Sequence, residues 1–114
     1  MQFKTSTLLK ILGIGAFLLI FLSIALSARP ASEGGDLFKE KCSMCHGPDG
    51  KGYPALKTPD FTDPKVQTAL SDKEITEAIK NGKKGTAMPP FGDKLSDDQI
   101  HALVTYIRSL GKSK

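Results

Sequence analysis

Seven glycines and prolines stand close together in the middle of this 114-residue chain. They lie between positions 47 and 64 and comprise Gly47, Pro48, Gly50, Gly52, Pro54, Pro59 and Pro64. Proline has no backbone N–H, and glycine loses the most conformational freedom when it is ordered, so this density excludes a long helix or a central strand. The sequence therefore predicts a long loop here, and such a loop must wrap around something.

The part of the chain that is expected to fold has too few residues to bury a large hydrophobic core. A length of 114 residues corresponds to one small domain. A hydrophobic fraction of 39% is too high for a disordered chain, and a charged fraction of 25% is too high for a polytopic membrane protein. There is no tryptophan, and a folding segment of roughly 80 residues buries only a modest share of its surface. We expect something else to help fill the core.

The N-terminal segment predicts export. Lys4 and Lys10 are followed by 18 residues without a charge, from Ile11 to Ala28. Length alone fits either a cleaved secretory signal or an anchor, and small residues before a possible cleavage after Ser27 fit the signal. A buried soluble helix is disfavoured because the run has no polar face. We assign residues 1–28 to a signal peptide or membrane anchor, 29–35 to a short linker, and 36–114 to a domain in the periplasm or on the outer face of the membrane.

The charge of the exported part argues against a nucleic-acid partner. Of the 16 basic residues, Lys4 and Lys10 precede the apolar run, which leaves 14 basic against 12 acidic residues from Arg29 onward. This balance is nearly neutral and its two signs are interspersed, so no basic surface of the kind that binds nucleic acid is predicted.

Helical patterns begin and end the predicted domain. Residues 30–35 are predicted to lack regular structure, and Asp36 is predicted to cap a first helix whose apolar side carries Leu37, Phe38 and Cys42. The sequences Ser71–Glu74 and Ser96–Gln99 are capping boxes. They predict a helix ending at Asn81-Gly82 and a last helix ending at Gly111. No alternating pattern predicts a strand, so we expect an all-α domain of three or more helices joined by long Gly/Pro loops.

Both cysteines lie in the sequence Cys42-Ser43-Met44-Cys45-His46. This is the Cys-x-x-Cys-His pattern of covalent c-type haem attachment. On one helical turn, thiols three residues apart can each form a thioether with a vinyl group of the porphyrin, and the next imidazole then lies beneath the iron. We therefore predict His46 as the proximal iron ligand. Export supports this prediction, because c-type haem is attached outside the cytoplasm.

Three other kinds of site could use the same cysteines. A plain disulfide and a thioredoxin-like redox site both suit an oxidising compartment, although no βαβ pattern supports the thioredoxin alternative. A zinc site needs a fourth ligand, and His101 is the one other histidine in the sequence. His101 stands at the edge of the last helix's apolar stripe, where a partly exposed surface histidine is expected.

Residues 35–110 resemble a small class I cytochrome c of the bacterial type in four separate places. The first is Gly35-Asp36-Leu37-Phe38 followed by Cys42, and the second is Cys-Ser-Met-Cys-His-Gly-Pro-Asp-Gly-Lys-Gly. The third is Gly85-Thr86-Ala87-Met88-Pro89-Pro90-Phe91, and the fourth runs from Leu95 to Leu110. The resemblance implies a cytochrome c-like fold wrapped around one haem c.

The resemblance also implies a role for particular residues. Cys42 and Cys45 would form the thioethers, with His46 as the proximal and Met88 as the distal iron ligand. Methionine often fills gaps in cores, but the position of Met88 in a loop before two prolines favours ligation. A proline carbonyl, from Pro54 or Pro59, would orient the imidazole. Phe38 and Tyr106 would pack where the first and last helices cross.

The implied ligands predict a one-electron carrier and not an enzyme. Two strong axial ligands leave no open position on the iron, and a thioether ligand favours ferrous iron and raises the reduction potential. The expected partners are a cytochrome-reducing complex and a terminal oxidase or reductase. Two alternatives stay open. One is a haem enzyme or gas sensor with a labile Met88, and the other is a haem subunit of a larger respiratory complex.

Overall fold

Helices account for the regular structure in the described part of the chain, which comprises Lys10 and residues 30–112 of this computed structural model. The elements are α1 (Pro30–Leu37), a π-helical turn (Phe38–Cys42), α2 (Ser43–His46), a 3₁₀ turn (Pro54–Leu56), α3 (Pro64–Ala69), α4 (Asp72–Asn81) and α5 (Asp97–Leu110). No strand occurs between residues 30 and 112, and the predicted all-α class is confirmed. Apart from Lys10, the predicted signal or anchor at residues 1–28 lies outside the described residues. Within those described residues, no helix is both long and apolar enough to cross a bilayer.

The first helix begins earlier than the sequence predicted. It starts at Pro30 and not at Asp36, so the expectation that residues 30–35 lack regular structure is wrong. Proline is tolerated in a first helical turn, where its missing N–H has no partner in any case. Gly34 and Gly35 permit a close crossing with α5: a Cβ on Gly34 would lie 2.1 Å from the carbonyl oxygen of Ala102. These two glycines lie at the contact between α1 and α5, and α1 continues through both of them.

The two predicted capping boxes are present and set the start of α4 and α5. The Ser71 backbone N–H donates to Glu74 Oε2 at 2.7 Å, and the Glu74 N–H donates to Ser71 Oγ at 3.2 Å. Ser96 and Gln99 make the equivalent pair of bonds at 3.0 and 3.2 Å. The bonds from Ser71 hold the pKa of the Glu74 carboxyl below its usual value. Both helices end where the sequence predicted, at Asn81 and Leu110.

One apolar cluster forms the centre of the described domain. It consists of Phe38, Phe61, Ile75, Ile79, Leu95, Ile100, Leu103, Val104 and Ile107. The predicted crossing of the first and last helices is confirmed, because the ring centroids of Phe38 and Tyr106 lie 5.3 Å apart. Phe61 enters the cluster from the Gly/Pro-rich loop, so the loop contributes to the core that it surrounds.

Helix α3 was not foreseen, and a hydrogen-bond network ties it to α5. Asp63 accepts the Lys65 N–H at 2.8 Å and Pro64 occupies the first helical position. Arg108 on α5 donates to the Gln67 carbonyl at 2.6 Å and to the Leu70 carbonyl, so its guanidinium caps the end of α3. The Gln67 amide in turn donates to the Phe61 carbonyl at 2.6 Å. The network thereby fixes the position of the Phe61 backbone.

We expect the substitution Arg108→Met to destabilise the domain. It keeps much of the apolar stem but removes the donors that satisfy the carbonyls at the end of α3. Hydrogen bonds from charged groups contribute about 1.5–3 kcal/mol when shielded, and partial exposure of Arg108 places the expected loss at about 1–2 kcal/mol. Urea denaturation measures it, with Lys112→Met on the exposed neighbouring Lys112 as control. Equal stability of the two variants would contradict the role of the network.

Candidate haem site

The Cys-x-x-Cys-His segment begins where the π-helical turn ends and α2 starts. Cys42 is the last residue of the π-helical turn, and α2 carries the rest of the segment up to His46. Cys42 is half-buried and packs against the apolar cluster, whereas Cys45 is exposed. Gly47 then ends α2 with a φ of 78°, a left-handed value that favours glycine. The segment therefore has one thiol at the edge of the core and one thiol at the surface.

The surroundings of Cys42 disfavour a redox-active pair of the thioredoxin kind. Both are free in the structure. Burial, and then the neighbouring Cys45, raise the pKa of the Cys42 thiol to about 11. A redox-active or nucleophilic cysteine needs a lowered pKa, so this environment disfavours the thioredoxin alternative. Free, protonated thiols are also the form that adds across a vinyl double bond to give a thioether.

His46 is a half-buried imidazole with one buried, unpartnered nitrogen. Its ring stacks on Phe61 with centroids 5.1 Å apart and planes at 23°, and it lies 6.4 Å from the Phe38 ring. Burial lowers the pKa of the imidazole, so the neutral form that binds metal ions dominates at neutral pH. Its buried Nδ1 has no hydrogen-bond partner in the described part of the chain. A buried polar atom without a partner is costly, and a metal-bound imidazole ordinarily donates from this second nitrogen. The residue therefore fits the role of a haem ligand.

The backbone around Gly52 distinguishes the two prolines proposed to orient His46. The Pro54 carbonyl accepts the Lys57 N–H at 3.1 Å, within its own 3₁₀ turn. The Gly52 N–H donates to the His46 carbonyl at 2.8 Å, and a Cβ on Gly52 would lie 2.8 Å from the Pro59 oxygen. Pro59 thus lies beside Gly52, whose backbone N–H bonds the His46 carbonyl. This placement favours Pro59, and its bond to Nδ1 stays a prediction.

Met88 lies in a loop that is fastened to the end of α4. The Lys83 N–H donates to the Met88 carbonyl at 3.2 Å, and the Phe91 N–H donates to the Ile79 carbonyl at 2.8 Å. Gly82 permits this close approach, because a Cβ there would lie 2.8 Å from the Met88 oxygen. The Met88 side chain is half-buried and packs against the apolar cluster. The loop therefore holds a thioether at the edge of the same core that Cys42 contacts.

Three of the four predicted site residues contact one apolar cluster, and the fourth, Cys45, is exposed. Cys42 and Met88 pack against the cluster, and His46 contacts its members Phe38 and Phe61. His101 is exposed, as expected. Between residues 30 and 112 no group of three or more His, Cys, Asp or Glu side chains is arranged to hold a metal ion. The sequence analysis missed Phe61, since its contact with His46 depends on the path of the loop.

Comparison with protein families identifies one match that covers most of the chain. The family described as "Cytochrome C oxidase, cbb3-type, subunit III" matches residues 29–107. The chain is 34% identical over 84 residues to the cbb3-type cytochrome c oxidase subunit FixP of Bradyrhizobium sp. (strain ORS 278), which covers 74% of this chain and 29% of that protein. It is 37% identical over 94 residues to the subunit CcoP of Rubrivivax gelatinosus, covering 79% of this chain and 31% of CcoP. The chain thus spans less than a third of either relative.

Solved structures with a similar fold include c-type cytochromes. The KustC0563 c-type cytochrome superposes with a TM-score of 0.62 at 34% identity, over 68% of this chain and 95% of that one. Cytochrome cL from Hyphomicrobium denitrificans superposes with a TM-score of 0.56 at 29% identity, over 69% of this chain and 46% of cytochrome cL. The predicted resemblance to a class I cytochrome c and the predicted fold are confirmed.

Proposed function

The chain belongs to the cytochrome c family of cbb3-type oxidase subunit III, and we propose that it transfers single electrons on one haem c as a subunit or module of a respiratory oxidase. The proposed location is the outer side of the cytoplasmic membrane. The relatives FixP and CcoP are subunits of such an oxidase, which favours a complex-bound role over a freely diffusing one. The haem supplies a reversible one-electron couple when it is bound.

In this proposal Cys42 and Cys45 hold the haem through thioethers. Each sulfur adds to one carbon of a vinyl group while the thiol proton goes to the other carbon, so no oxidant is consumed. The neutral imidazole of His46 and the thioether of Met88 would be the two iron ligands that the protein supplies. Phe61 and Phe38 keep the imidazole in place and exclude water from it. The protein thus fixes both ligands, and a change of iron charge requires little rearrangement.

The observation that carries the proposal is the convergence of Cys42, His46 and Met88 on one apolar region. Burial of a haem against that region would supply the core that so short a chain lacks. A thioether from the Met88 loop would close the iron to other ligands and would raise the reduction potential. These are the properties of an electron carrier, and they disfavour the alternative of a haem enzyme or gas sensor.

We expect Met88→Ala to open the iron and lower the reduction potential. Loss of the thioether removes the ligand that favours ferrous iron, so the potential should fall by on the order of 0.1 V, within the roughly 0.8 V that axial ligands span. Reduced protein should also bind carbon monoxide. Potentiometric titration and optical spectra measure both effects. Met44→Ala is the matched control, because the Met44 side chain is 87% exposed and should leave both unchanged. An unaltered potential in Met88→Ala would exclude Met88 as the ligand.

Membrane extraction distinguishes a complex-bound from a free carrier. Native cells are fractionated, the membranes are solubilised in mild detergent, and the chain is followed by haem staining after affinity capture of the oxidase catalytic subunit. Co-purification at constant stoichiometry supports the complex. Recovery of the protein in the soluble periplasmic fraction would contradict the complex-bound role and support a diffusing carrier.

A further inference from the structure

A single π-helical turn precedes the haem-binding segment and leaves one carbonyl without its usual backbone partner. The Ser43 N–H donates to the carbonyl of Phe38, five residues back. In an α-helix the same N–H would donate to the carbonyl of Lys39, four residues back. In this structure, the Ser43 hydroxyl donates to the Lys39 oxygen at 2.5 Å. The side chain therefore replaces the bond that the backbone N–H no longer makes.

The π-helical turn decides how Cys42 is oriented relative to the residues that follow it. Such turns are rare, occur mostly as single insertions, and are frequent at functional sites. One residue of an α-helix turns the chain by about 100°, so conversion of the turn to regular α-helix would rotate Cys42 by about this angle relative to Phe38 or to Cys45. In the structure Phe38 is buried, Cys42 is half-buried against the same core, and Cys45 is exposed. The position of both thiols thus depends on the turn.

We propose that the Ser43 hydroxyl is a positioning group for haem attachment, because it holds the π-helical turn that directs the Cys42 sulfur relative to Cys45 and His46. The proposal rests on the proposed function, in which both cysteines form thioethers. Ser43 acts through the Lys39 carbonyl and the backbone. Alanine at this position would remove the hydroxyl bond and would favour regular α-helix, in which the Lys39 carbonyl accepts the backbone N–H of residue 43, since alanine has the highest helix propensity. Threonine would keep the hydroxyl.

The test compares three variants of the full chain, produced in cells with the c-type maturation machinery. They are Ser43→Ala, Ser43→Thr and the control Met44→Ala, which changes the exposed second residue between the cysteines. Alkylation of free thiols followed by mass spectrometry of the haem peptide counts the cysteines that form no thioether, and the pyridine haemochrome band separates haem held by one thioether from haem held by two. We expect a several-fold increase in singly attached haem, missing the Cys42 bond, in Ser43→Ala. Ser43→Thr and Met44→Ala should match the wild type.

Two results would overturn the proposal: wild-type levels of doubly attached haem in Ser43→Ala, or the same defect in Ser43→Thr as in Ser43→Ala. The wild-type protein gives a measurement that does not depend on the yield of a variant. The Ser43 hydroxyl proton should exchange slowly with water in NMR because of its bond to the Lys39 carbonyl, and exchange as fast as that of a free serine hydroxyl also overturns the proposal. A wild-type protein without thioethers would instead refute the proposed function, so the two failures are distinguishable.

Discussion

Replacing Cys42 and Cys45 together with serine should abolish covalent haem. Serine keeps the size of each side chain but its hydroxyl does not form the thioether, so no haem should survive extraction with acidified acetone or appear on a denaturing gel stained for haem. Because the haem would fill the centre of a small domain, the double variant should also accumulate less as folded protein. Haem staining and far-UV circular dichroism of the purified chain measure these effects.

The single variants show what each cysteine contributes, and a control shows the effect of introducing serine into the segment. Cys42→Ser and Cys45→Ser should each retain haem through the other sulfur, at reduced yield. Met44→Ser introduces the same residue between the two cysteines and should keep both thioethers. Covalent haem in the double variant, or haem that acidified acetone extracts from the wild type, would show that the cysteines do not carry it.

The second large effect is expected from Gly34→Ala at the crossing of α1 and α5. The added methyl group would lie 2.1 Å from the Ala102 carbonyl oxygen and 2.6 Å from its carbon. These are backbone atoms, so the helices must move apart. Overpacking of this kind costs about 1–3 kcal/mol or more, which exceeds the roughly 1 kcal/mol gained from the better helix propensity of alanine. We expect a clear net loss of stability in chemical denaturation.

Gly35→Ala is the matched control for Gly34→Ala. It makes the same change in the same helix, but its methyl group meets the Tyr106 ring at 3.2 Å, and a side chain can shift by a few tenths of an ångström. Its stability should therefore fall much less, and the gain in helix propensity offsets part of the cost. Equal losses in both variants would show that backbone contact at Gly34 does not determine the crossing.

The helices that sequence patterns predicted correctly are those with local signals. In α4 and α5, the capping serines lie three residues from a glutamate or glutamine, and both boxes form as expected. The predicted start of α1 was wrong because Gly34 and Gly35 are typical of loops when only their sequence neighbours are considered. Their contacts are with residues of α5, which lie far along the chain. Helix α3 was missed because Pro64 was interpreted as a breaker, whereas it occupies the first position of a short helix.

In the candidate site, too, local sequence patterns predicted some features, whereas others depend on contacts between distant parts of the chain. The motif and the family resemblance predicted Cys42, Cys45, His46 and Met88 from the sequence alone. The stacking of Phe61 on His46 depends on how a loop returns to the core. The π-helical turn at Phe38–Cys42 has no pattern that distinguishes it from α-helix. The features that orient the predicted ligands were therefore the ones that required a structure.

The central claim is that His46 and Met88 together close the iron of a one-electron carrier. Optical spectra of the purified wild-type protein, oxidised and then reduced, with carbon monoxide added to the reduced form, test it most directly. We expect low-spin haem in both oxidation states and a reduced spectrum that carbon monoxide leaves unchanged. A prompt change on adding carbon monoxide would show an open sixth position and contradict the electron-carrier proposal in favour of a haem enzyme or gas sensor.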